Sequence, residues 1–134
     1  MSQTDQSARA APRKLARILI AEDEETLADL YRVLLARHGH EVLGIVRSGD
    51  EAIALYKKLN PKPDIVLMDH RLERMSGMEA LRKILEIDPN AKVVFASADD
   101  SIMEDAIQAG AIDYIGKPFS MLELVEVIDE SLGT

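Results

Sequence analysis

Five positions far apart in the chain each stand at or just past the end of a short apolar run: the adjacent carboxylates Glu22 and Asp23, the carboxylate Asp69, the hydroxyl of Ser97 and the ammonium of Lys117. Three carboxylates brought together repel one another, so they raise their own pKa values and resist full ionisation unless a cation joins them. The chain has no cysteine, and its three histidines are not spaced as a metal site, so oxygen ligands point to a hard ion. Few protein ligands and room for water suit Mg²⁺ better than Ca²⁺. Lys117, followed by Pro118, supplies a fixed positive charge beside Asp69, and Ser97 adds a hydroxyl donor. A carboxylate nucleophile flanked by a metal, an ammonium and a hydroxyl is equipped to form an aspartyl phosphate, where charge on the transferring group must be offset.

This chemistry requires strand ends that converge. Residues 18–21, 65–68, 93–96 and 112–115 are short aliphatic or β-branched runs that read as buried parallel strands. Between them apolar residues recur with helical spacing, as in Leu27, Leu30, Tyr31 and Leu34, or Met121, Leu124, Val125 and Ile128. Strand and helix therefore alternate, and all the carboxyl ends of a parallel sheet lie on one edge, around a crevice. A further strand, residues 41–46, is interrupted by Gly44 and is expected at the sheet edge. Right-handed crossovers then favour a doubly wound five-stranded parallel α/β sheet of order 2-1-3-4-5 with five helices. Ser48 with Glu51, Ser76 with Glu79 and Ser120 with Glu123 match capping boxes at helix starts. Gly39 and Gly110 mark helix ends.

At 134 residues the chain is expected to form one domain, residues 15–134, burying roughly two-thirds of its unfolded surface without a disulfide, and leaving nothing over for an output module. No apolar stretch of membrane-spanning length and no signal peptide is recognisable, so a cytoplasmic location is expected. The net charge of −8 argues against a nucleic-acid interface. Residues 1–17 carry Arg9, Arg13, Lys14 and Arg17 against Asp5, which gives +3 and leaves −11 for the remainder; residues 1–14 read as a flexible basic tail.

Over about residues 15–133 the chain resembles the receiver domains of two-component response regulators, including stand-alone chemotaxis receivers, whose sheet is flavodoxin-like. The resemblance is carried by Ile-Leu-Ile-Ala-Glu22-Asp23, Ile-Val-Leu-Met-Asp69 with Gly77 eight residues on, Val-Val-Phe-Ala-Ser97-Ala98, and Tyr114-Ile-Gly-Lys117-Pro118-Phe119. It implies that Asp69 is the phospho-acceptor. It also implies that Asp23 and Asp69 ligate Mg²⁺ directly, with Glu22 acting through water and the Arg71 carbonyl as a further ligand, and that Ser97 and Lys117 hold the phosphoryl oxygens. The implied donor is the phosphohistidine of a histidine kinase. The implied readout is Tyr114, turning inward as Ser97 moves, with the face formed by helix 4, strand 5 and helix 5 signalling to a downstream protein or pairing in a homodimer. Such a protein is a switch that catalyses only its own phosphorylation and dephosphorylation.

Two departures stand out. Where the family has proline four residues after the acceptor, this chain has Glu73 inside the charged run 70–74, so a looser turn is expected. At the positions that line the mouth of the site it has Arg71 and Asp99, whose opposite charges are expected to pair and restrict the attacking water. A phosphohydrolase with an aspartate nucleophile is disfavoured, because its general-acid aspartate would stand where Arg71 is. A flavin or nucleotide binder is disfavoured by the acidic run 22–25, which would repel phosphate. A phosphorylation-independent interaction module is disfavoured by the intact set of five residues.

Overall fold

The aliphatic runs form five strands, β1 Arg17–Ala21, β2 Glu41–Val46, β3 Ile65–Asp69, β4 Val93–Ser97 and β5 Asp113–Gly116. They alternate with five helices: α1 Glu25–Arg37, α2 Gly49–Lys58, α3 Gly77–Ile87, α4 Met103–Ala109 and α5 Met121–Gly133. A 3₁₀ turn, Asp100–Ile102, leads into α4. These elements come from a computed structural model that describes residues 15–133; the expected basic tail, residues 1–14, lies outside the described residues. All strands are parallel, in the order β2-β1-β3-β4-β5 expected from the sequence.

The sheet is covered on both faces, which is why β3 and β4 are buried along their whole length. Alternation divides the side chains into two cores. Leu19, Val66, Met68, Val93 and Phe95 pack against Ala52, Tyr56, Leu81, Ile84 and Ala106 of α2, α3 and α4. Ile18, Ile20, Leu67, Val94 and Ile115 pack against Tyr31 and Leu35 of α1 and Leu124 and Ile128 of α5. Truncating one such fully buried leucine or isoleucine costs about 2–5 kcal/mol, so the strand ends are held by a stiff frame.

Helix starts follow the serine signals, though only one box is reciprocal. Ser120 Oγ accepts the Glu123 N–H at 3.0 Å while Glu123 Oε1 accepts the Ser120 N–H at 2.8 Å. Ser48 and Ser76 accept from the N–H groups of Glu51 and Glu79, but the Glu51 carboxylate takes the Arg47 N–H. Gly39 and Gly110 both adopt positive φ, +88° and +114°. β2 is indeed outermost, and its pairing with β1 slips by one residue at Leu43, just before Gly44.

Two boundaries differ from the expected ones in a way that matters for the site. Asp69 and Ser97 are the last residues of β3 and β4 rather than residues beyond them, so the ladder itself orients their backbones: the His70 N–H donates to Ala96 O and the Lys117 N–H to Ser97 O. The turn after β3 is not loose. The Glu73 N–H, a donor proline would lack, reaches Arg47 O at 3.0 Å, and the Ser48–Glu73 bridge joins the two loops.

Candidate functional site

Glu22 follows β1, Asp69 ends β3, Ser97 ends β4 and Lys117 follows β5, and all four converge at the carboxyl edge of the sheet. Glu22, Asp69 and Ser97 are only 3%, 5% and 4% exposed. Lys117 lies between the two acids: its Nζ is 2.6 Å from Asp69 Oδ1 and 2.8 Å from Glu22 Oε1. Their remaining oxygens are also engaged. Asp69 Oδ2 accepts the Arg71 N–H at 2.9 Å, and Glu22 Oε2 accepts the Glu24 N–H at 3.1 Å.

Asp23 is half-buried, at the open side of the group, and one carboxylate oxygen from each of Glu22, Asp23 and Asp69 lies within 4.8 Å of the others. That all-oxygen donor set, acidic and close, fits a small hard divalent cation. An open hollow of about 270 Å³ has these three residues, Arg71, Ser97 and Lys117 on its wall. The apolar hollow of about 340 Å³ beside it, lined by α1, α5 and Phe119, offers no charged group except Lys117 and cannot do this chemistry.

Burial pushes the carboxyl groups of Asp69 and Glu22 above their ordinary pKa values; hydrogen bonds from Lys117 oppose the rise, and neighbouring carboxylates add to it. Lys117 is pulled down by burial, yet its hydrogen bonds to Asp69 and Glu22 more than compensate and hold it above the usual lysine range. The two sides of the ion pair therefore differ. The ammonium remains charged, while the acids, three to one ammonium, are under-neutralised.

Gly77, the first residue of α3, faces the acceptor strand from behind. A Cβ there would collide with the Asp69 carbonyl oxygen, and the Gly77 N–H donates to His70 O at 2.8 Å. This explains why the motif places glycine eight residues after the acidic residue: α3 can start only by approaching β3 this closely.

Ser97 Oγ accepts the Asp99 N–H at 2.9 Å, which leaves its own proton free to donate. Tyr114, half-buried on β5, donates its hydroxyl to Asp99 O at 3.1 Å and to Ser97 O at 3.3 Å. The expected Arg71–Asp99 pair is not formed among the described residues. Asp99 caps the 3₁₀ turn instead, its Oδ1 accepting from Ser101 Oγ at 2.6 Å and Ser101 N at 3.0 Å. A local cap needs no long side chain to be immobilised, which favours it over an exposed ion pair. Arg71 acts on Asp99 only as a more distant positive charge, the smallest of the influences that lower its pKa.

That Glu22 binds Lys117 as closely as Asp69 does could not be read from the sequence, because strand-end position says nothing of side-chain pairing. The same holds for Asp50 and Glu51, which bind Arg74 across the loops. Only the unusual charge of the run 70–74 hinted at that role. The three histidines are structural where contacts are seen: buried His40 accepts the Ala16 N–H at 3.0 Å, and His38 contacts Leu34 O.

Residues 18–129 match the family model of the response regulator receiver domain. The chemotaxis protein CheY of Thermotoga maritima is 39% identical over 116 residues, covering 85% of this chain and 95% of the relative. A two-component response regulator of the LuxR family from Aurantimonas shares the fold with TM-score 0.83 and 32% identity over 90% of this chain and 86% of that one. The CheX–CheY–BeF₃–Mg²⁺ complex from Borrelia burgdorferi matches with TM-score 0.80 and 27% identity, covering 84% of this chain and 85% of the matched one. With these motifs at one sheet edge and this similarity along the chain, the protein belongs to the response regulator receiver domain family, of the CheY type that serves phosphorelay signalling.

Proposed function

We propose that the chain takes a phosphoryl group from the phosphohistidine of a histidine kinase onto Asp69, with Mg²⁺ bound, and signals the change through the face formed by α4, β5 and α5. The observation that carries this reading is the Lys117 ammonium within 2.8 Å of both Asp69 and Glu22, with Asp23 beside them. The complex from Borrelia burgdorferi, which contains BeF₃ and Mg²⁺, supports it by similarity.

An Asp69 oxygen attacks phosphorus, the phosphorus–nitrogen bond breaks, and the electron pair leaves with the imidazole, which ends as neutral histidine after taking a proton. Asp23, Asp69 and the Arg71 carbonyl would hold Mg²⁺ directly, and Glu22 would act through water. When bound, the ion offsets negative charge on the acceptor and the transferring group. Lys117 does the same from the other side and opposes the rise that burial gives the Asp69 pKa. The free Ser97 proton donates to a phosphoryl oxygen. Hydrolysis by water later returns Asp69 to its carboxylate.

The route to the surface runs through the 97–99 segment. Tyr114 hangs on its carbonyls, so a Ser97 drawn toward the phosphoryl group moves the groups that fix the ring. A swing from 1:99 to 99:1 between two states needs about 5.5 kcal/mol of differential binding, more than one hydrogen bond supplies, so Lys117, Ser97, the metal and Tyr114 act together.

The chain segment that forms this face has a strong excess of one sign of charge. Between Val93 and Gly133 the chain has nine acids, Asp99, Asp100, Glu104, Asp105, Asp113, Glu123, Glu126, Asp129 and Glu130, and the sole Lys or Arg is Lys117, inside the site. Two copies meeting there would repel, so a different protein as target suits the face better than the homodimer. No helix of the described residues is long and apolar enough to cross a membrane, which fits a cytoplasmic partner of a kinase.

Phosphoramidate, whose phosphorus–nitrogen bond stands in for phosphohistidine, tests the transfer. Followed by phosphorus NMR, it should be consumed by the protein only with Mg²⁺ present. Consumption without Mg²⁺, or none under either condition, contradicts the reading.

A further inference from the structure

The loop between β3 and α3 holds two groups that the chemistry needs: the Arg71 N–H on Asp69 Oδ2 and the Arg71 carbonyl assigned above to Mg²⁺. Its end is fixed by Gly77 on His70 O. Its middle is fixed by the β2–α2 loop. The Glu73 N–H donates to Arg47 O, the Gly49 N–H to Met75 O, and Arg47 returns two bonds of 3.1 and 3.0 Å to Glu73 Oε2.

Arg74 completes this attachment from an unfavourable backbone position. Its φ is +62°, and it is the one non-glycine residue among the described residues in the left-handed region. From there its guanidinium spreads over three oxygens: Nε lies 3.2 Å from Asp50 Oδ2, while Nη2 lies 3.0 Å from Ser48 Oγ and 3.5 Å from Glu51 Oε2. A fork of fixed geometry on three acceptors locates the loop in a way that a point charge cannot.

We propose that Arg74 is a positioning residue, whose fork on Asp50, Ser48 and Glu51 holds the β3–α3 loop so that Arg71 presents its carbonyl to Mg²⁺ and its N–H to Asp69. It replaces the rigidity that a proline at position 73 would have given, and it rests on the Mg²⁺ reading above. Because Arg74 and Asp50 are 58% and 48% exposed, the attachment is screened by salt, and the site should tighten at low ionic strength beyond what its own charge explains.

Calorimetric titration of the full chain with Mg²⁺ tests this, using wild type, Arg74→Gln, Arg74→Gly and Arg74→Lys at about 0.02 M and about 0.5 M monovalent salt, between which the screening length falls severalfold. At low salt Arg74→Gln and Arg74→Gly should bind Mg²⁺ about threefold more weakly, with Arg74→Lys between them and wild type, and the gap should close at high salt. The Arg71 amide resonance should shift in the same order. Arg74→Gly keeps the left-handed turn without its strain, so equal or tighter binding by that variant means that the fork does not position the site. A gap that persists unchanged at high salt, or equal affinities throughout, overturns the proposal. Failure of wild type itself to bind Mg²⁺ overturns the reading on which it rests.

Discussion

The Lys117 ammonium sits 2.6 Å from Asp69 Oδ1 while its neighbour Glu22 holds it from the other side at 2.8 Å, so one cation serves two buried acids from strands that are not adjacent in the chain. Removing it should strand both. Lys117→Met is expected to lower stability at pH 7 by about 2 kcal/mol, less than the usual loss for breaking a buried pair because the acids can take up protons instead. Saturating Mg²⁺ should recover much of that loss in a denaturant titration, about 2.7 kcal/mol being available at a hundredfold excess over Kd. A variant as stable as wild type without Mg²⁺ would show that the pair contributes little.

The raised carboxyl groups fix the sign of a pH effect. Folded Asp69 and Glu22 bind protons more tightly than their ordinary values of 3.8 and 4.5 allow, so their contribution to stability is full below those values and is lost as pH rises through the raised ones. Lys117, raised from 10.5, stays charged throughout that range. Asp69→Asn, which mimics the neutral acid, should therefore gain in thermal midpoint on wild type as pH rises from 3.8 through the raised value. Mg²⁺ should stabilise wild type increasingly over the same range. A difference between wild type and Asp69→Asn that does not change with pH would mean that Asp69 titrates as an ordinary surface acid.

At Gly77 an added methyl meets the backbone of the acceptor itself, which cannot move aside as a flexible side chain can. Gly77→Ala should cost about 3 kcal/mol and shift the Asp69 and His70 amide resonances. Gly133→Ala, with nothing near its Cβ, is the control and should leave those resonances in place.

The excess of acidic residues on α4, β5 and α5 predicts no self-association through the proposed output face. Sedimentation of the phosphorylated or fluoroberyllate-bound chain should give a monomer at physiological salt. A dimer that strengthens as salt is lowered would be incompatible with repulsion between these faces.

The fold and the meeting of the five residues were legible because both follow from periodicity: buried β-strands read as apolar runs, and a parallel sheet puts their ends on one edge. Gly44 marked β2 as the edge for the same kind of reason. What could not be read depends on which of several near partners a side chain or N–H chooses. Asp99 caps Ser101 rather than pairing with Arg71. Glu73 tightens the turn through its backbone N–H, although the missing proline suggested the opposite, and Arg74 finds Asp50 from 24 residues away.

Intact-mass measurement after incubation with acetyl phosphate is the most direct test of Asp69 as the acceptor. Wild type with Mg²⁺ should gain one phosphoryl group, and neither wild type without Mg²⁺ nor Asp69→Asn with it should gain any. The same mass gain in Asp69→Asn would place the phosphoryl group elsewhere and contradict the mechanism derived from this site.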